Sequence, residues 1–100
     1  MAQKFELRYS EGCRRALEDL RGSPSMRKKR RRVELALEKL ANDPLYPSLR
    51  SHKHVAVNDE DGVGVFGSYV EHHTPSAWRL LWRYGPGEGE ITVLGVGPHP

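Results

Sequence analysis

A chain of 100 residues, 37% hydrophobic and 29% charged, has the size and balance of one folded domain over residues 1–100 rather than of a disordered chain. No apolar run approaches the roughly 18 residues of a membrane span. The N-terminal MAQKFELRY carries no apolar leader, and the single cysteine, Cys13, excludes an internal disulfide, so a cytoplasmic protein with no membrane partner is expected.

The first predicted element is KFELRY, where Phe5, Leu7 and Tyr9 alternate with Lys4, Glu6 and Arg8 as in a half-buried strand. Ser10 then caps a helix whose apolar face is Cys13, Ala16, Leu17 and Leu20, and Gly22 suits its stop. Ser23-Pro24 opens a second helix with Met26, Val33, Ala36, Leu37 and Leu40 on one side, ended by Asn42-Asp43-Pro44. The short break between two amphipathic helices predicts an antiparallel helical hairpin. After Pro47 the texture is that of strands: His52 to Val57, Val63 to Glu71, Ala77 to Tyr84 and Glu90 to Val96, with turns at 58–62, 72–76 and 85–89. Consecutive strands with short turns run antiparallel. The expected fold is α+β: an N-terminal strand and a helical hairpin packed on one face of an antiparallel β-sheet.

Charge is uneven along this layout. Residues 1–50 hold 13 Lys and Arg against 7 Asp and Glu, whereas residues 51–100 hold 3 against 6 and all five histidines. A basic half attracts a polyanionic or acidic partner at long range. Alternation along AWRLLWRY puts Trp78, Leu80, Trp82 and Tyr84 on one side and Arg79, Leu81 and Arg83 on the other. The aromatic side has most apolar area and belongs under the helices, so Arg79 and Arg83 face the open side. In the preceding strand Phe66, Ser68 and Val70 face the core, which leaves Tyr69 and Glu71 beside the arginines.

The order of these elements, with the strings ALEKLANDP, LRSHKH, SYV, WRLLWRY and ITVLGVGPHP, resembles the RelE/ParE superfamily of bacterial toxin–antitoxin toxins over nearly the whole chain. AWRLLWRYG is similar to the strand that carries an arginine in the ribosome-dependent, mRNA-cleaving members, and the resemblance assigns that role to Arg79. It places His99 where the YoeB-like branch has a histidine acting in proton transfer. The chain departs from the pattern at Ser68, Tyr69, Val70 and Glu71, where RelE-like members place Lys or Arg, and at His99-Pro100, where the YoeB-like branch ends His-Tyr. Arg50 stands where that branch has a catalytic glutamate.

Cleavage of RNA without metal needs a base for the 2′-hydroxyl proton, cations on the phosphate and a proton donor for the 5′-oxygen. Arg79 suits the phosphate, because its planar fork grips two oxygens and stays charged. His99 suits proton transfer, since an unperturbed histidine titrates near about 6.5. Glu71 is proposed from its face of the sheet, either as base or as the group orienting His99. Arg83, Lys53 and His54 are further RNA contacts, and Tyr69 is a candidate to stack a base. The basic run RKKRRR, residues 27–32, presents Lys28, Lys29 and Arg31 to ribosomal RNA or to an acidic antitoxin segment. No metal and no cofactor is expected. The resemblance implies a toxin partnered by an acidic antitoxin and acting on the ribosome and mRNA. Its alternatives are a ParE-like, non-enzymatic gyrase inhibitor and an inactive module that only binds antitoxin.

Overall fold

The computed structural model describes residues 4–58 and 62–98. Along the chain run β1 (Glu6–Tyr9), α1 (Glu11–Arg21), α2 (Arg27–Asn42), β2 (His52–Asn58), β3 (Gly64–Tyr69), β4 (Trp78–Tyr84) and β5 (Glu90–Pro98). Ser10 caps α1 as its position predicts: its Oγ accepts the Cys13 N–H at 3.1 Å. The same hydroxyl donates to the Leu94 carbonyl at 3.0 Å, so the residue that starts the helix also pins it to β5. α2 begins at Arg27, after a 3-10 turn at Pro24–Met26, and Ser23 makes no side-chain cap bond. Asp43 closes α2, its N–H donating to the Lys39 carbonyl at 2.7 Å.

The strands lie in the order β1-β5-β4-β3-β2. β2 to β5 pair antiparallel with their neighbours, whereas β1 runs parallel to β5, with Leu7 opposite Ile91 and Tyr9 opposite Val93. The sheet is therefore mixed, where strand spacing alone predicts an antiparallel one. The physical reason is the connection: β1 and β5 are joined through the whole domain, and a long crossover permits a parallel pair that a hairpin forbids.

The helical hairpin covers one face. Leu17, Leu20, Val33, Leu37 and Leu40 pack with Leu80, Trp82, Ile91 and Val93, and each of these side chains contributes about 1.5–3 kcal/mol by burial. Trp82 is fully buried and stacks on Phe66 with ring centroids 4.7 Å apart. Its Nε1–H donates to Ser68 Oγ at 2.7 Å. Ser68 and Ser51 share a bond of 2.6 Å, and the Ser51 hydroxyl donates to the Pro44 carbonyl, also at 2.6 Å. Because Ser51 spends its hydrogen on Pro44, Ser68 is the donor between the two serines. This buried relay fixes the segment that delivers His52 and His54 to the sheet. Cys13 is buried against the same core, and burial pushes its thiol pKa up. Among the described residues no helix is long and apolar enough to cross a membrane.

Candidate active site

The sheet face away from the helices carries a cleft of about 420 Å³. β3 contributes Gly67 and Tyr69, β4 Arg79 and Leu81, and β2 His52 and His54; Gly95, Gly97 and Pro98 of β5 complete it. Arg79 and Tyr69 face each other across the β3–β4 register. The Arg79 guanidinium carbon sits 3.7 Å from the centre of the Tyr69 ring, a cation–π contact. Its Nη1 donates to the Glu71 carbonyl at 3.1 Å and to the Trp78 carbonyl at 3.2 Å. Tyr69 also stacks with His72 at 5.0 Å and meets the edge of His52 at 6.4 Å. The tyrosine ring is thus already engaged by the Arg79 guanidinium and by His72.

Across Gly67 stand the two histidines. His52 and Gly67 are register partners, and a Cβ at Gly67 would lie 2.6 Å from His54 Nε2 and 3.4 Å from His52 Cε1. A glycine is required there for both rings to rest on the sheet. The rings stack on each other at 5.2 Å. His52 Nδ1 lies 3.1 Å from the Arg50 carbonyl. A carbonyl can only accept, so Nδ1 carries the hydrogen in that bond, and neutral His52 keeps an open lone pair on Nε2. Among the described residues no three His, Cys, Asp or Glu side chains gather as metal ligands.

Three sequence expectations about this face are corrected. Alternation puts Glu71 beside Arg79 on the open side, but its carboxylate lies on the helix side, 8% exposed. The cause is a bulge at the exit of β3: the N–H groups of Val70 and Glu71 both donate to the Trp78 carbonyl, at 3.0 and 3.2 Å. Two residues opposite one reverse the alternation. Glu71 there accepts from Lys29 Nζ at 2.6 Å, Arg32 Nη1 at 2.7 Å and the Trp78 N–H at 3.1 Å. Burial alone pushes its pKa up; the bonds from Lys29, the Trp78 N–H and Arg32 outweigh that and hold it below the usual carboxylate range. The carboxylate is an anchored anion, turned away from the cleft.

Arg83 is the second correction. It is buried at 9% exposure, its Nε donates to the neighbouring Tyr84 carbonyl at 3.2 Å, and it does not line the cleft. The third is Lys53, which pairs with the core-facing Phe66 and lays its side chain along Gly64, on the other pleat face from His52 and His54. The spacing in HKH could have shown this, since residues two apart share a face and the middle one does not.

On α2, Lys28 and Arg31 are exposed, but Lys29 is half-buried in the Glu71 ion pair with its ammonium 5.0 Å from the Trp78 ring centre. His99 lies outside the described residues; Pro98, which precedes it, borders the cleft.

No protein-family model matches this sequence. No curated protein matches it either. Solved structures do. A YoeB/ParE toxin from Agrobacterium tumefaciens superposes with a TM-score of 0.67 at 9% identity, covering 95% of this chain and 99% of the toxin. The fold is that of the RelE/ParE toxins. A chain of the RelBE2 toxin–antitoxin complex from Mycobacterium tuberculosis matches with a TM-score of 0.55 at 22% identity, over 96% of this chain and 99% of the other. At these identities the RelE/ParE likeness is one of architecture, and chemistry has to be argued from the cleft's own residues.

Proposed function

We propose that this chain is the toxin of a type II toxin–antitoxin system and that it cleaves mRNA on the ribosome, in the cytoplasm. The observation that carries the reading is the fixed guanidinium of Arg79 in the open cleft of a toxin fold. Its Nη1 hydrogens are spent on the Glu71 and Trp78 carbonyls. Among the described residues no hydrogen bond engages the Nε–Nη2 edge, which is the fork that grips two phosphate oxygens. A cation held before the substrate arrives needs no reorganisation as charge builds on the pentacoordinate phosphorus, an effect often worth about 3 kcal/mol or more.

The reaction we propose is the one that the resemblance to the mRNA-cleaving toxins implies. The 2′-oxygen attacks the adjacent phosphorus, the bond to the 5′-oxygen breaks, and the products are a 2′,3′-cyclic phosphate and a 5′-hydroxyl. The 2′-hydroxyl proton goes to a histidine, and we assign this to His52, whose Nε2 lone pair is set by the bond from Nδ1 to Arg50. A protonated His99 returns a proton to the 5′-oxygen. Stacked His54 and the Gly95–Gly97 floor bound the space for the nucleotide. Exposed Lys28 and Arg31 on α2 supply a basic surface for ribosomal RNA. One structural neighbour is a toxin–antitoxin complex, and we assign the same partnership to this chain, with an acidic antitoxin suited to its basic half.

Controlled expression in a bacterium tests the reading when protein and DNA synthesis are followed together by radiolabel incorporation. Translation should stop first, and Arg79→Ala or His99→Ala should restore it. Early arrest of DNA synthesis with translation intact would replace the nuclease reading with gyrase inhibition.

A further inference from the structure

The bulge that removes Glu71 from the cleft also gives it a task. Its carboxylate is held on the helix side by Lys29 and Arg32 of α2 and by the Trp78 N–H. Its own carbonyl, on the other side of the same residue, accepts from Arg79 Nη1 at 3.1 Å. The second carbonyl on Arg79 Nη1 is that of Trp78, the residue whose N–H the Glu71 carboxylate binds. Both backbone oxygens that orient the guanidinium therefore belong to residues fixed by this one carboxylate. We infer that Glu71 is a positioning residue: it anchors the β3–β4 bulge to α2 and so fixes Arg79 in the cleft. The inference rests on the proposed role of Arg79 for its consequences in catalysis, but the geometric link exists without it.

The charge arrangement supports an anchoring role. The run from Arg27 to Arg32 occupies the first turns of α2, with no acidic residue in its first turn, where the helix dipole disfavours cations. Glu71 supplies the missing anion from across the domain. Arg32 remains 57% exposed on its side chain and Lys29 22%, so the carboxylate is the buried partner and the cations reach in from the surface.

The test uses the full chain and two variants, Glu71→Gln and Lys29→Gln, the second approaching the same anchor from the helix. A nitrogen–proton spectrum of the arginine guanidinium groups, with the Arg79 signals assigned through Arg79→Ala, reads the positioning directly. Wild type should show separate, slowly averaging Nη signals for Arg79, and each variant should average them. Unchanged Arg79 signals in both folded variants would overturn the inference. Where wild type cleaves mRNA, Glu71→Gln should reduce turnover about 10- to 100-fold, the scale of a displaced catalytic group. It should keep the wild-type shape of the pH–rate profile and cause no further loss in an Arg79→Ala background. Loss of a pH limb would instead make Glu71 a base, and additive losses would make it merely structural. A wild type inert on mRNA would refute the proposed nuclease and leave the spectrum to decide the positioning role.

Discussion

Replacing Gly97 by valine should fill the cleft without crowding the fold. Gly97 pairs with Arg79 across the β4–β5 register and lines the cleft. A Cβ built on it meets no atom within 4 Å, so the added side chain projects into the space of about 420 Å³. Glycine inside a strand costs roughly 0.5–1 kcal/mol relative to alanine, and valine is a strong strand former. The variant should therefore be as stable as wild type or up to about 1 kcal/mol more so, a rise in Tm of about 4–8 °C for a domain of this length. Cleavage should fall at least about 100-fold, because the methyl groups occupy the nucleotide's place beside Arg79 and a displacement of about 1 Å already costs that much. Thermal unfolding and cleavage of a defined mRNA on ribosomes measure the two sides. A folded Gly97→Val protein that cleaves at the wild-type rate would refute the placement of the substrate.

Ser68→Ala leaves the buried Trp82 Nε1–H without its acceptor and should cost about 1–3 kcal/mol in urea denaturation. Adding Trp82→Phe to it should cost less than the two single effects together. The Glu71 pKa is depressed in the fold, so its stabilisation is complete above its unfolded value near about 4.3 and is lost as pH falls through the lower folded value. Glu71→Gln should therefore be about 2 kcal/mol less stable at pH 7 and lose less than wild type on acidification below about pH 4.5. Cys13 is buried with a raised pKa, so a thiol reagent at pH 8 should label it only after unfolding; rapid labelling of the native chain would place that helix face outside the core.

Much of the architecture was legible because local signals suffice for it. Ser10 before Cys13, Ala16 and Leu17 marks a helix start, and the alternation of WRLLWRY assigns Trp82 to the core and Arg79 to the open side. The parallel β1–β5 pair was not legible, since no short-range pattern encodes which distant strand becomes a neighbour. Glu71 misled for a related reason: alternation holds only while the ladder is regular, and the pairing of two N–H groups with the Trp78 carbonyl is a property of both strands together. His52 was within reach of sequence reasoning, because it shares a face with His54. Its tautomer was not, because that depends on the left-handed turn at Arg50, where φ is 44°.

The most direct measurement is primer extension on a defined mRNA in a reconstituted translation reaction, with and without ribosomes, for wild type and Arg79→Ala. The account predicts breaks only when ribosomes are present, with 5′-hydroxyl ends downstream of each break, and at least about 100-fold fewer with Arg79→Ala. Intact mRNA with folded wild-type protein, or cleavage undiminished in Arg79→Ala, would contradict it.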